Sequence, residues 1–139
     1  MIKETIMDKK LKIIIFSTDL VFVEIIKCIL DKIGKKNRVK TYRLFSEAKT
    51  ISENDDVDLI IIDDPIIGTS SYELVSFLRL SQKIICPIIY FGALEYDGEK
   101  KAFLAGASCF FDKKFDHNEV GEFIVEILSD ATTSITNET

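Results

Sequence analysis

Polar and acidic side chains follow two apolar stretches of the chain, in positions where a small ion or a phosphoryl group could be bound. The first stretch, residues 11–16, is followed by Ser17, Thr18 and Asp19, and the second, residues 58–62, by Asp63 and Asp64. If both stretches are parallel strands of one sheet, their carboxyl ends share the edge where α/β proteins bind ligands. Carboxylates can hold a divalent cation or accept a phosphoryl group. Ser17 or Thr18 could instead cap the helix that follows.

The order of the elements supplies such a sheet. Apolar stretches alternate five times with segments that have helical periodicity or a capping residue. The predicted strands cover residues 11–16, 38–44, 58–64, 84–91 and 107–111. The predicted helices cover 20–33, 46–50 after a Ser46 cap, a segment that begins after Ser70 or Ser71, 99–105, and 116–128. This alternation predicts an α/β fold with a five-stranded, doubly wound parallel sheet of flavodoxin-like order 2-1-3-4-5 and helices on both faces.

The length and charge of the chain limit its function. Its 139 residues suit one domain, which we place at residues 11–128, between an N-terminal extension at 1–10 and a polar C-terminal tail at 129–139. The net charge of −5 disfavours a nucleic-acid partner, since phosphate binding requires a basic surface. The apolar runs are too short to span a membrane, so we expect a cytoplasmic protein. The three cysteines lack CxxC spacing, and we expect them to be reduced core residues.

The third predicted strand and the loop after it resemble response-regulator receiver domains, the CheY-like family. In that family an apolar strand ends in the phospho-accepting Asp, which matches Asp63 here. Residues 66–67 replace the family's Met-Pro, Ser71 stands where a Gly is usual, and the Glu-Leu pair is intact at residues 73–74.

The last third of the chain matches the same family more closely. Residues 105–108 and 110–113 resemble the run from the fourth helix into the end of the fifth strand. The resemblance implies that Lys113 is the family's lysine at the phosphorylation site and that Phe110 is the aromatic that changes orientation on activation. Lys114 replaces the family's cis-proline, so a preset cis turn is not expected there.

Three departures affect the chemistry that the resemblance implies. The acidic pair that holds Mg²⁺ after the first strand is replaced by Ser17 and Thr18, and Gly92 replaces the Thr or Ser that contacts the phosphoryl group. Mg²⁺ is usually held through carboxylates, so we expect at most a weak Mg²⁺ site, formed by Asp19, Asp63 and Asp64.

These departures favour a protein-interaction module that works without phosphorylation and is not an enzyme. The resemblance implies a protein partner, which is a histidine kinase, a phosphotransfer protein or an output protein. It would bind the face made by the fourth predicted helix, the fifth strand and the fifth predicted helix. The same face could form a homodimer. A working phospho-acceptor at Asp63 is the main alternative, and a flavodoxin-type domain that binds a small ligand near Ser17 and Thr18 is a third.

Overall fold

The computed structural model describes residues 10–137, with side chains for residues 10–129. The elements, in chain order, are β1 (Leu11–Phe16), α1 (Leu20–Lys32), β2 (Asn37–Tyr42), the 3₁₀-helices η1 (Phe45–Thr50) and η2 (Glu53–Asp55), β3 (Leu59–Asp63), α2 (Ser71–Leu80), β4 (Ile88–Gly92), α3 (Gly98–Ala105), β5 (Cys109–Asp112) and α4 (His117–Asn137). The fourth and fifth predicted helices are therefore α3 and α4.

The five strands form one parallel sheet in the order β2-β1-β3-β4-β5, which confirms the predicted fold. Side chains alternate between the two faces of each strand. Ile13 and Ile15 pack in the core that α1 and α4 cover. Ile14 and Phe16 pack in the core on the other face, beneath η1, α2 and α3. Both faces of the sheet are thus buried, as is usual for parallel sheets.

The register of the ladders brings the strand ends together at one edge. Phe16 at the end of β1 pairs with Ile62, next to the last residue of β3. Asp63 then pairs with Phe91 of β4, and the following residue of β4 pairs with Asp112 at the end of β5. Residues that follow β1, β3 and β5 are therefore neighbours in space.

The predicted elements differ from the structure in three main respects. The fourth strand begins at Ile88 rather than Ile84. The short helix at Phe45–Thr50 is a 3₁₀-helix that begins before Ser46, so Ser46 lies inside it and Leu44 is at the N-cap position. The backbone N–H of Leu44 donates to the Glu47 carboxylate (3.0 Å). The last helix does not end at residue 128 but continues to Asn137.

The structure also bears on the expected burial of the cysteines and on the expectation that no segment spans a membrane. Cys28 is exposed rather than buried in the core, because it lies on the outer side of α1. No helix within residues 10–137 is both long enough and apolar enough to cross a membrane.

Arg79 explains the late start of β4. Its guanidinium donates to the carbonyls of Ile84 (3.0 Å) and Cys86 (2.7 Å), which therefore bond to a side chain before the strand begins. It also donates to the carbonyl of Gly106 (2.9 Å), which joins the loop before β4 to the loop before β5. Gly106 has φ +122°, and a Cβ there would lie 2.7 Å from Cγ of Arg79, so glycine is required.

Replacing Arg79 with methionine should destabilise the fold. Arg79→Met keeps an apolar stem of similar length but leaves three backbone carbonyls without their donors, at an expected cost of about 2 kcal/mol. Urea unfolding followed by circular dichroism measures the change. Arg38→Met, at an exposed position of edge strand β2, is the matched control and should change stability little. Equal effects of the two substitutions would contradict this role of Arg79.

Candidate functional site

The centre of the candidate site is the carboxylate of Asp63, the last residue of β3. Asp63 is only 2% exposed. The Ser17 hydroxyl donates to Oδ2 of Asp63 at 2.7 Å, and the Lys113 ammonium donates to Oδ1. Asp63 and Lys113, which the resemblance predicts to be site residues, are therefore in contact. Each oxygen of the buried carboxylate has a donor from the protein.

The sheet fixes both donors, because each follows directly from a strand. The backbone N–H of Ser17 donates to the carbonyl of Tyr42 at the end of β2 (2.9 Å), which extends the ladder beyond β1. In the same way, the backbone N–H of Lys113 donates to the carbonyl of Gly92 (3.2 Å). Main-chain hydrogen bonds thus hold the two residues on either side of Asp63. The turn after Lys113 is held by the backbone N–H of Lys114, which donates to the Asp112 carboxylate at 3.1 Å.

Two opposing effects determine the protonation of Asp63. Burial raises the pKa of its carboxyl above the ordinary value, whereas the hydrogen bonds from Lys113 and Ser17 lower it, and burial is the larger effect. Asp19 adds a small repulsion that also raises this pKa. The Lys113 side chain is partly exposed, so water can reach the ammonium but hardly the carboxylate.

The two other predicted carboxylates have separate structural roles. Asp19 caps α1, since its Oδ1 accepts from the backbone N–H of Val21 at 2.9 Å, so the expectation that Ser17 or Thr18 caps this helix was wrong. Asp64 accepts from the Ser71 hydroxyl at 2.6 Å.

The residues present do not fit a magnesium site of the kind the resemblance implies. Within the part of the chain whose side chains are described, no three His, Cys, Asp or Glu side chains lie close enough to hold a metal ion. The predicted set of Asp19, Asp63 and Asp64 is therefore not assembled into a ligand group. Ser17 places a hydroxyl against Asp63 at a position where the resemblance implies a carboxylate ligand for Mg²⁺.

The predicted switch positions, Gly92 and Phe110, are packed together with two tyrosines. The rings of Tyr72, Tyr90 and Phe110 are stacked, with centroids separated by 5.3 Å and 5.8 Å. A Cβ at Gly92 would lie 2.9 Å from Cε1 of Tyr90 and 3.2 Å from Cε2 of Phe110. The space where the resemblance predicts a hydroxyl side chain is therefore closed by two rings.

Sequence reasoning missed both tyrosines and the role of Ser71. Tyr90 precedes Gly92 by two residues in a strand, so both lie on the same face of the sheet. That spacing was the signal that could have identified Tyr90. Its hydroxyl is buried and has no hydrogen-bond partner among residues 10–129, and burial raises the pKa of this phenol far above its ordinary value.

Solved structures of receiver domains have the same fold as this chain, which confirms the fold expected from the sequence. A CheY-like response-regulator receiver domain protein from Methanospirillum hungatei aligns with 91% of this chain and 99% of its own, with a TM-score of 0.75 and 19% identity. The receiver domain of a sensor histidine kinase from Pseudomonas aeruginosa, solved with magnesium coordinated in its active-site cleft, aligns with 87% of this chain and 99% of its own (TM-score 0.72, 20% identity). The chemotaxis response regulator CheY4 of Vibrio cholerae covers 86% and 99% (TM-score 0.70, 19% identity). No family model and no curated protein matches the chain.

The raised pKa of Asp63 should make stability depend on pH with a defined sign. Because folding favours the protonated carboxyl, this group's contribution is fully present below the ordinary value of 3.8 and is lost as the pH rises through the folded-state pKa. The free energy of unfolding of the wild type, relative to that of Asp63→Asn, should therefore decrease as the pH is raised from about 4 to about 7. Urea titrations at several pH values measure it, and a difference that grows with pH would show that the attraction of Lys113 outweighs burial.

The packing around Gly92 predicts a strong coupling with Phe110. Gly92→Ala should destabilise the fold by about 1–3 kcal/mol, because the added methyl group meets two rings. In a Phe110→Leu background the same substitution should cost less, since one of the rings is gone. A double-mutant cycle of urea unfolding measures the coupling. Additive effects of the two substitutions would contradict the contact.

Proposed function

We propose that this protein is a receiver-like signalling module that acts by binding a protein partner, without phosphorylation of Asp63. The observation that supports this most directly is the state of the Asp63 carboxylate, which is buried and bonded to Ser17 on one oxygen and to Lys113 on the other. Such a carboxylate performs a structural task, because it joins the ends of β1, β3 and β5.

The chemistry of phosphoryl transfer explains why this arrangement disfavours it. An attacking carboxylate needs an accessible oxygen, and the charge on the transferred group must be neutralised, usually by a metal ion together with cationic side chains. Here each oxygen of the buried Asp63 carboxylate accepts a hydrogen bond, and Lys113 is the cation in contact. The resemblance implies acidic metal ligands at the positions of Ser17 and Thr18. The loss of the metal contribution lowers the expected rate by about a hundredfold or more.

Exposed apolar side chains support a partner surface on the α3–β5–α4 face, and in particular on α3 and the loop before it. Tyr96 is 91% exposed. Three more apolar side chains are also exposed there: Leu94, Phe103 and Leu104. Four large apolar side chains exposed within residues 94–104 make this segment the candidate for a binding surface. The partner on this face is a histidine kinase, a phosphotransfer protein or an output protein of a cytoplasmic signalling pathway. The module itself turns over no substrate, and its net charge of −5 disfavours nucleic acid.

A phospho-accepting receiver remains the second candidate. The contact between Asp63 and Lys113 favours it, since the resemblance implies the same pair in active receivers. The third candidate, a flavodoxin-type ligand domain, has less support because the Ser17 hydroxyl donates to Asp63 and because Asp19, a carboxylate, caps α1, where a phosphate would have to bind.

Treatment of the protein with a small-molecule phosphodonor and Mg²⁺ tests the proposal. We expect no increase in mass by one phosphoryl group in intact-protein mass spectrometry, because Ser17 and Thr18 replace the acidic residues that would hold Mg²⁺ beside Asp63. The control is Asp63→Asn, treated in parallel. A phosphoryl adduct on the wild type that is absent from Asp63→Asn would overturn the proposal in favour of the phospho-acceptor.

Restoring the acidic pair tests whether its replacement is what prevents Mg²⁺ from binding beside Asp63. The double variant Ser17→Asp, Thr18→Asp restores the acidic pair that the resemblance implies, and we expect it to bind Mg²⁺ in calorimetric titrations in which the wild type shows no binding. Adding Asp63→Asn to the double variant should weaken this binding. Mg²⁺ binding of equal strength by the wild type would show that the site is not limited by these two substitutions.

A further inference from the structure

The loop that joins β4 to α3 carries part of the surface proposed to bind a partner. Leu94 and Tyr96, both in this loop, are exposed. Leu94 also lines a groove of about 270 Å³ between the loop, the start of α3 and Phe110 of β5. The position of the loop therefore decides how these apolar side chains and the groove are presented on the α3–β5–α4 face.

The conformation of this loop needs support from outside the loop. Asp97, the residue before α3, has φ +62°, a left-handed conformation that costs free energy for a residue other than glycine. The side chain of Asp97 makes no capping hydrogen bond to α3. The backbone N–H of Gly98 donates to the carbonyl of Glu95 (3.1 Å), which closes a turn over residues 95–98. Contacts that hold this turn must offset the cost at Asp97.

A hydrogen bond from α2 supplies such a contact. The hydroxyl of Tyr72, in the first turn of α2, donates to the carboxylate of Glu95 at 3.1 Å. The Tyr72 ring is itself held, because it stacks on the buried ring of Tyr90. The core therefore fixes the donor, and only the Glu95 side chain has to be ordered for the bond to form.

Gly98 leaves space for the path that the Glu95 side chain takes to Tyr72. A Cβ at position 98 would lie 3.0 Å from Cγ of Glu95 and 3.4 Å from the hydroxyl oxygen of Tyr72. The first distance is shorter than ordinary van der Waals contact, so a side chain at this position would press on Glu95. The start of α3, the turn before it and Tyr72 of α2 thus form one packed group.

We propose that Tyr72 is a positioning residue for the partner surface, because its bond to Glu95 holds residues 93–97 in the conformation that presents Leu94 and Tyr96. The use of these two side chains by a partner rests on the proposed function. The bond itself does not, and its test needs neither a partner nor phosphorylation. Failure of this test would therefore leave the proposed function standing.

Hydrogen exchange of the Gly98 amide in the full chain tests the proposal, because this amide is bonded within the turn. Tyr72→Phe removes the hydroxyl but keeps the ring that stacks on Tyr90, and it leaves the sequence of the loop unchanged. We expect the protection factor of the Gly98 amide, measured by NMR, to fall about fivefold, as for the loss of one hydrogen bond. An unchanged protection factor would overturn the proposal.

Substitutions of Glu95 and a tyrosine control identify the contact. Glu95→Gln keeps an oxygen acceptor for Tyr72 and should retain most of the protection, whereas Glu95→Ala should lose as much as Tyr72→Phe. The last two substitutions together should lose no more than either alone, because they break the same bond. Tyr42→Phe removes a hydroxyl at the end of edge strand β2 and should leave the Gly98 amide unchanged. Additive losses, full protection in Glu95→Ala, or an equal loss in Tyr42→Phe would overturn the proposal.

Discussion

A carboxylate buried at the end of a central strand must be given hydrogen-bond donors, and the site depends on this constraint. Asp63 takes one donor from Ser17 after β1 and one from Lys113 after β5, so three strand ends are joined through a single side chain. Breaking a buried charged pair is far more costly than forming it is favourable. The interaction therefore fixes the relative positions of the residues that border the site, even where it adds little net stability.

A stack of three aromatic rings beside this site also fixes the relative positions of the elements around it. Tyr72, Tyr90 and Phe110 connect α2, β4 and β5, and Gly92 supplies the space in which their rings lie. The end of β3 and the end of β4 are thus held by different means, the first by charge and the second by close packing. Both leave little room for a side chain to change position in response to a ligand.

The strand order and the pair of Asp63 and Lys113 could be predicted, the first from the alternation of strand and helix patterns and the second from the resemblance to receiver domains. Alternating strand and helix patterns define a parallel sheet, and residues at its strand ends become neighbours without further information. The start of β4 could not be predicted, because residues 84–86 are apolar like a strand. Only the position of Arg79 shows that the carbonyls of Ile84 and Cys86 are already bonded to a side chain. The partner of Ser17 was also missed, since its position follows from the sheet but the direction of its hydroxyl depends on a rotamer. The closure of Gly92 depends on ring orientations, which periodicity does not describe.

The rings that surround Gly92 also constrain the evolution of this sequence. A larger residue at position 92 needs space that Tyr90 and Phe110 occupy, whereas loss of a ring before that change leaves a cavity in the core. Either order of substitution passes through a less stable protein. A sequence with this glycine and these rings therefore tends to keep them together, because a side chain with a hydroxyl group at position 92 requires a change in the rings as well.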